Sequence, residues 1–188
     1  MEAWKVLFVF LLTAAAADGQ TFHLGKCPQP STEKDFNVTK YMGTWYEIEK
    51  LPAVFERGTC NQATYTLLGD GTVRVLNAEL LPNGQRSSIE GVAKVKDPSN
   101  PAILGVSFFE GLPDAPYWVL STDYHSYSLV YSCSEYLSLF YVDFAWVLAR
   151  TRGLTEDIIS RVHEQLAAVG VDLNRLTVSN QTGCEILT

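Results

Sequence analysis

The chain has 188 residues, 47% of them hydrophobic, and a formal net charge of −7 at pH 7. This length supports one domain with a sizeable core and is short for two. An acidic chain without a cluster of Lys and Arg is a poor candidate for binding nucleic acid or an anionic membrane. We therefore expect one acidic domain that does not bind nucleic acid.

Residues 1–19 have the pattern of a secretory signal peptide. Lys5 precedes an apolar run that is followed by alanines. The run is shorter than the roughly 20 residues that a membrane span requires. Ala17 and Gly19 supply the small side chains typical of a signal cleavage site. We therefore expect a secreted, extracellular protein made of residues 20–188 as a single domain, with no transmembrane segment.

Four cysteines follow the predicted signal: Cys27, Cys60, Cys133 and Cys184. An even number in an oxidising compartment predicts two disulfides, for which three connectivities are possible. Cys27 lies in an N-terminal arm and Cys184 near the C terminus, so we expect each bond to tie one terminus to the domain body. The histidines (His23, His125 and His163) are scattered and no spacing is typical of zinc. We therefore expect no metal and no cofactor.

Turn-forming residues recur at nearly regular intervals and separate eight segments with the length and composition of strands. These segments are 45–51, 59–68, 72–80, 86–95, 102–109, 116–122, 127–133 and 140–149. Short turns between successive strands are typical of an antiparallel meander that closes on itself, or of a sandwich. The sequence therefore predicts an all-β fold.

One amphipathic helix is predicted after the last strand. Thr155 is a good N-cap and Gly170 lies just past the expected end. Apolar residues recur on one side of it, namely Ile158, Val162, Leu166 and Val169. Such a helix lies against the outside of the sheet, and the last strand offers it small residues: Ala145, Val147 and Ala149. We expect His163 to be solvated on the polar face and residues 176–178 to form a short edge strand.

Alternation along the strands predicts which side chains face inward. The inward set combines small residues with aromatic residues that carry polar groups: Ala63, Gly91, Ala93, Tyr65, Tyr117, Tyr131 and Trp146. Asn77 and Glu79 add polar groups near one rim. An eight-stranded barrel either fills its interior with side chains or holds one small ligand. Alternation alone does not favour one interpretation over the other.

Three short motifs resemble the signature of the lipocalin family. They are Gly43-Thr44-Trp45, then Thr122-Asp123-Tyr124, then Arg150. The resemblance implies an eight-stranded antiparallel up-and-down barrel with one C-terminal helix packed outside. It also implies that the three motifs meet at the closed end of the barrel, where the Arg150 guanidinium covers the Trp45 indole in a favourable cation–π contact.

Five longer segments, 22–28, 45–50, 115–118, 129–133 and 142–146, resemble one lipid-carrying group within that family. This resemblance implies the disulfides Cys27–Cys133 and Cys60–Cys184, and an association with lipoprotein particles. It implies a pocket for small hydrophobic ligands such as steroids and polyunsaturated fatty acids. The ligand-binding residues that it implies are Tyr65, Asn77, Glu79, Phe108, Tyr117, Trp118, Phe140 and Trp146. Tyr117 and Trp118 are neighbours, so a kink near Pro116 is required for both to face the pocket.

Some features depart from that group or add to it. After the predicted signal the only methionine is Met42, so we expect no thioether at the pocket mouth that could reduce lipid peroxides. No cysteine is left over for a disulfide to another protein. Asn37 and Asn180 begin sequons and are therefore predicted acceptors of N-linked glycans.

We compared three functions. The first is a carrier that binds hydrophobic ligands without chemistry. The second is a lipid-modifying enzyme, which is disfavoured because it needs a free cysteine of low pKa or a histidine dyad that the sequence lacks. The third is an interaction module that docks on lipid or a cell-surface receptor through the apolar segment 136–141, although this segment is equally well explained as an early start of the last strand. The first and third are compatible.

Overall fold

The computed structural model describes residues 22–187, so the predicted signal peptide and its cleavage site lie outside the described residues. The strands are β1 (Phe22–Leu24), β2 (Gly43–Lys50), β3 (Thr59–Leu67), β4 (Val73–Leu80), β5 (Arg86–Val95), β6 (Ile103–Ser107), β7 (Ala115–Thr122), β8 (Tyr127–Tyr136), β9 (Phe140–Ala149) and β10 (Thr177–Val178). The α-helices are α1 (Val38–Tyr41) and α2 (Glu156–Val169), and short 3₁₀ turns span Leu173–Arg175 and Glu185–Leu187.

Strands β2 to β9 pair antiparallel in chain order, and β9 pairs with β2 to close the barrel. The predicted eight-stranded barrel with one helix outside is therefore confirmed. The bounds of β5 and β9 are those predicted, and β8 extends beyond its predicted end to Tyr136. β1 was not predicted; it adds to the edge of β9 near the start of that strand.

The barrel has two different ends because each strand reverses the direction of the one before it. The turns at 68–72, 96–102 and 123–126 lie at one end. The loops 51–58, 81–85, 108–114 and 137–139 lie at the other. Helix α1, which was not predicted, begins at Asn37, whose side chain accepts a hydrogen bond from the Lys40 backbone N–H. It leads into β2 at the first end, which we call the closed end.

The core consists of two main apolar clusters on opposite faces of the strands. One fills the barrel interior and includes Trp45, Val75 and Val130. The other lies outside, where Val162 and Leu166 of α2 join Ala145, Val147 and Ala149 of β9. The predicted apolar stripe of the helix and the small-residue face of the last strand therefore belong to one cluster.

The prediction that His163 is a solvated residue is wrong. Its Nε2 lies within hydrogen-bond distance of the Glu49 carboxylate of β2. The apolar stripe of α2 brings His163 to the margin of the contact with the barrel, where Glu49 is buried. A helical periodicity identifies the buried stripe but not the strand residue that meets its edge.

Two disulfides attach the termini, and they join Cys27 to Cys133 and Cys60 to Cys184, as the resemblance implies. The C-terminal segment also fills a gap where β3 leaves β2. Gln181 Nε2 donates to the carbonyl oxygens of Glu47 and Asn61, at 2.8 Å each. This one carboxamide therefore bridges two strands that no longer pair directly.

Candidate functional site

The closed end is sealed by Arg150 at the end of β9. Its Cζ lies 3.7 Å from the centre of the Trp45 ring. The guanidinium donates to the carbonyl oxygens of Met42 at 2.8 Å, Thr44 at 2.9 Å and Tyr124 at 3.0 Å. A planar guanidinium can stack on an indole while its N–H groups donate in the ring plane. Arg150 therefore ties two chain segments, 42–44 and the turn at Tyr124, together over the buried indole.

The two other motifs supply the backbone for this seal. Gly43 has φ +96°, and a Cβ at this position would lie 3.3 Å from Arg150 Nη1. Asp123 Oδ1 accepts hydrogen bonds from the backbone N–H groups of His125, Ser126 and Tyr127. These bonds fix the turn that presents the Tyr124 carbonyl to Arg150. The arrangement implied by the family resemblance is therefore present at the closed end.

A chain of hydroxyl groups lies above this seal, inside the barrel. The Tyr117 hydroxyl is 2.9 Å from that of Tyr41 and 2.8 Å from that of Tyr65. The Tyr41 hydroxyl also lies 2.9 Å from Ser128 Oγ. Burial raises the pKa of Tyr41 to about 12 and raises the pKa values of Tyr65 and Tyr117 as well. All three phenols are therefore neutral, and we call this group the tyrosine floor.

Little space remains around the tyrosine floor. A cavity of ≈ 10 Å³ lies there, which is about the space that one water molecule needs. Its lining is formed by Phe36, Val38, Tyr41, Met42, Tyr65, Val73, Ala93, Leu104, Val106 and Tyr117. The closed half of the barrel is thus a packed core, and the cavity around the tyrosine floor is too small for a lipid.

Aromatic side chains line the half of the barrel near its mouth. Trp146 of β9 stacks on Phe144 with ring centres 5.8 Å apart, and Phe144 contacts Phe55 of loop 51–58. A Cβ at Gly91 would lie 2.7 Å from the Ser107 carbonyl oxygen and 2.8 Å from the Phe108 ring. Gly91 therefore provides the space that the Phe108 ring occupies against the barrel wall.

A buried polar cluster adjoins these aromatic rings at the mouth. Glu56 Oε1 accepts a hydrogen bond of 3.1 Å from Trp146 Nε1, and its other oxygen pairs with Lys50 Nζ. Lys50 Nζ is also 3.3 Å from Glu47 Oε1. Burial and the nearby Glu47 carboxylate raise the pKa of Glu56 above its ordinary value. Although burial disfavours its charge, the two carboxylates raise the pKa of Lys50.

Sequence reasoning missed this cluster. The alternation of bulky and charged side chains in residues 45–51 is typical of a half-buried strand with a regular register. The register of β2 against β9 instead shifts between Glu47 and Glu49. This irregularity places Lys50 opposite Trp146, on the face that lines the barrel. Glu56 lies in a loop, where no periodicity indicates the direction of a side chain.

Asn77 and Glu79 lie on β4 toward the mouth, as predicted. Glu79 Oε2 accepts hydrogen bonds from the backbone N–H groups of Arg57 at 2.9 Å and Gly58 at 2.6 Å. A Cβ at Gly58 would lie 2.4 Å from the Leu80 carbonyl oxygen, so this backbone approaches β4 closely. In this structure Glu79 therefore anchors one end of loop 51–58.

Comparison with known proteins is consistent with this architecture. A sequence profile described as "Lipocalin-like domain" matches residues 36–181. The chain belongs to the lipocalin family. Apolipoprotein D of Mus musculus is 47% identical over 95% of this chain and 96% of its own, and that of Oryctolagus cuniculus is 47% identical over 90% of each. The solved structure of insecticyanin from Manduca sexta, 24% identical, covers 88% of this chain and 91% of its own with a TM-score of 0.75.

The predicted inward position of two aromatic residues of this lipocalin is wrong. Trp118 lies in the outer cluster beside Tyr131, with ring centres 6.0 Å apart. Tyr131 donates to Asp143 at 2.8 Å, and His23 also bonds Asp143. β7 alternates regularly past Pro116, and its register shift lies further along, between Val119 and Ser121. Tyr117 therefore faces the interior and Trp118 faces outward.

The mouth of this lipocalin is surrounded by exposed apolar side chains. They include Phe22, Leu24, Val54, Phe55, Phe109, Leu112, Tyr136, Leu137 and Leu139, and we call them the apolar rim. Phe140 lies beside it, with its ring stacked on Tyr136. Of segment 136–141, only residues 137–139 form the turn, because Tyr136 ends β8 and Phe140 begins β9. The last strand therefore does not begin early but at its predicted residue, Phe140, and docking through the turn stays a prediction.

Other features bear on the predicted partners. The predicted glycan acceptors Asn37 and Asn180 are both exposed. Among residues 22–187, no helix combines the length and the apolar character needed to cross a bilayer. Within the same range, no three His, Cys, Asp or Glu side chains are grouped as metal ligands would be.

Proposed function

We propose that this lipocalin is a secreted carrier that binds small hydrophobic ligands, such as steroids and polyunsaturated fatty acids, without covalent chemistry. The observation that carries the proposal is a barrel sealed at one end by Arg150 and lined at the other by aromatic rings with few polar groups. Ligand pockets generally have this combination of an apolar lining and a few polar groups. The relatives named apolipoprotein D support the assignment to lipid carriage.

The ligand occupies the space above the tyrosine floor in this proposal. Tyr65 and Tyr117 lie beneath the ligand, and Phe108 and Trp146 form the walls of its site. Asn77, Glu79 and Phe140 lie toward the mouth. Trp118, which faces outward, makes no contact with the ligand. Burying roughly 400 Å² of apolar ligand surface at about 25 cal/mol per Å² contributes about 10 kcal/mol. After the costs of ordering, this is sufficient for micromolar binding.

Tryptophan fluorescence tests the proposal directly. A fatty acid and a steroid are titrated into ligand-free protein while intrinsic fluorescence is recorded. We expect saturable quenching that Trp146→Phe abolishes and that Trp118→Phe retains, because Trp146 lies beside the proposed ligand space, whereas Trp118 faces outward and Trp45 is buried at the closed end. Both variants lose one indole, so they are matched controls for each other. The absence of a saturable signal at micromolar ligand would contradict the carrier function.

The geometry gives no support to an enzymatic function. Both disulfides together use all four cysteines. His23 and His163 each pair with a carboxylate on the outside of the barrel. We infer that the barrel binds its ligand unchanged. Recovery of a chemically altered lipid after incubation with the protein would contradict this inference.

The apolar rim favours a second, compatible function, which is docking on a lipid surface such as a lipoprotein particle. Leu137 is 85% exposed and Leu139 64% exposed, and both lie in the turn beside the mouth. We expect Leu137→Ser with Leu139→Ser to reduce flotation with neutral phospholipid vesicles severalfold. Leu67→Ser with Leu68→Ser provides the control, because these exposed leucines lie at the closed end. Equal losses in both double variants would exclude docking through the rim and leave a cell-surface receptor as the partner to test.

A further inference from the structure

The polar cluster at the mouth has an unusual arrangement of donors. Lys50 Nζ and Trp146 Nε1 belong to neighbouring strands, and both donate to the same carboxylate, that of Glu56. The side chain of Lys50 is 13% exposed and that of Glu56 is 20% exposed. An ammonium and an indole N–H held at this spacing form a site that any carboxylate of similar size can fill.

Glu47 does not compete for this role because it is already satisfied. Its Oε1 accepts hydrogen bonds from Asn61 Nδ2 at 3.0 Å and from the Ser179 hydroxyl. These partners tie Glu47 to β3 and to the C-terminal segment. Glu56 comes from loop 51–58, and the barrel-wall groups that donate to it are the two donors of this cluster, Lys50 and Trp146. It is therefore the exchangeable partner of Lys50.

The charge balance of the cluster also favours exchange. Two carboxylates, Glu47 and Glu56, surround a single ammonium, so full ionisation leaves one buried negative charge in excess. Burial and Glu47 accordingly raise the pKa of Glu56. Other charged groups near the loop do not reverse this, because Glu79 of β4 is engaged with the loop backbone. A protonated Glu56 is neutral and makes no ion pair with Lys50, so it leaves at a smaller cost than the carboxylate would.

The loop can also release Glu56 without leaving the mouth. Glu79 holds the backbone N–H groups of Arg57 and Gly58, directly after Glu56. Before it, the Leu51 N–H donates to the Ala145 carbonyl at 3.0 Å. Rotation of the Glu56 side chain toward solvent therefore requires no rearrangement of these anchors.

We propose that Lys50 and Trp146 form a subsite for the carboxylate of an acidic lipid, and that Glu56 fills this subsite when no such ligand is bound. The inference rests on the proposed carrier function and adds a chemical class of preferred ligand. The lipid chain extends from the mouth toward the tyrosine floor. Its carboxylate accepts the two hydrogen bonds that Glu56 releases, and Glu56 leaves as the neutral acid or turns to solvent.

A pair of ligands that differ only in the head group tests the subsite. We compare a long-chain fatty acid with the alcohol of the same chain, by fluorescence titration of Trp146. In the natural protein we expect the acid to bind more tightly than the alcohol. Lys50→Met should reduce acid affinity about tenfold, whereas Glu56→Gln should change it less than about twofold at pH 7 and raise it about tenfold at pH 9, where Glu56 of the natural protein is ionised. Both variants should leave alcohol affinity within about twofold.

Matched controls come from ion pairs on the outer wall. Lys96 pairs with Asp114, and Glu90 pairs with Arg74, outside the barrel. Lys96→Met and Glu90→Gln remove the same charges as the test variants and should change neither affinity. If acid and alcohol bind equally and Lys50→Met affects neither, the subsite is refuted while the carrier function stands. If neither ligand binds, both proposals are refuted.

The affinity for the fatty acid, measured over a range of pH, gives a second test of exchange with Glu56. A variant that is merely less stable would not reproduce the expected pH dependence. Rising pH ionises Glu56, and the ionised side chain competes for Lys50. With a pKa of about 8, the fraction of protein with neutral Glu56 falls about tenfold between pH 7 and pH 9, and apparent acid affinity falls with it. Glu56→Gln should remove this dependence. An identical pH profile in the variant would contradict exchange with Glu56.

Discussion

Replacement of Arg150 by Met tests whether the closed end is a seal that stabilises the barrel. Methionine preserves much of the length of the side chain and removes the guanidinium. The variant loses three hydrogen bonds of 3.0 Å or less and the stacking contact with Trp45. Met42, Thr44 and Tyr124, whose carbonyl groups Arg150 vacates, are partly exposed residues, so water can replace some of the lost donors.

The magnitude follows from these contacts. We take about 1 kcal/mol for each of the three hydrogen bonds and about 1 kcal/mol for the cation–π contact. The sum predicts that Arg150→Met lowers the free energy of unfolding by about 3–4 kcal/mol. Arg150→Lys keeps the charge but lacks the planar fork, so we expect it to recover about 1 kcal/mol of that loss.

Urea unfolding with the disulfides intact measures the effect. Arg161→Met serves as the control, because Arg161 is exposed and its guanidinium lies 5.6 Å from the Tyr127 ring. This substitution should change stability by less than about 0.5 kcal/mol. A loss below about 1 kcal/mol for Arg150→Met would show that Arg150 does not stabilise the barrel. Full recovery of stability by Arg150→Lys would show that only the positive charge of Arg150 matters.

Three further predictions concern the wall, the C terminus and the mouth. Gly91→Ala should displace the Phe108 ring and weaken ligand binding severalfold in the fluorescence titration; unchanged affinity would place Phe108 outside the ligand contact. Removing the second disulfide with Cys60→Ser and Cys184→Ser should cost about 2–5 kcal/mol in urea unfolding, and a smaller loss would mean that the hydrogen bonds of the C-terminal segment suffice to hold it. The raised pKa of Glu56 means that the folded protein keeps a proton that the unfolded chain releases between pH 4.5 and about 8. The free energy of unfolding should therefore fall as pH rises through this window, and Glu56→Gln should flatten the slope; parallel slopes in the two proteins would assign the effect to other groups.

The fold was predictable because its signals are local. Turn residues mark the strand ends, and a two-residue period marks the faces, so all eight barrel strands were found within a few residues of their bounds. The pairing of Arg150 with Trp45 was available only from the family resemblance, since the two residues lie on different strands and no local pattern connects them.

The site was less predictable because alternation separates two faces without saying which one is inside. β7 and β8 are apolar on both faces, because the inner face of each strand lines the barrel and the outer face belongs to the cluster with α2. Tyr131 was therefore assigned to the wrong face, and Trp118 was assigned to the pocket by resemblance. The polar cluster of the mouth was missed for a different reason. It depends on a register shift in β2 and on a loop, and neither has a periodic signal.

The two polar groups of the interior differ in what they offer a ligand. In the tyrosine floor, three hydrogen bonds join four hydroxyl groups and use three of their four protons. At most one donor is left for a ligand. The mouth offers an ammonium and an indole N–H, both freed when Glu56 leaves. Charge-assisted hydrogen bonds are roughly twice as strong as neutral ones, so an acidic lipid gains more by placing its head group at the mouth than at the floor. A neutral sterol has no such gain, and its orientation is set by the shape of the aromatic walls.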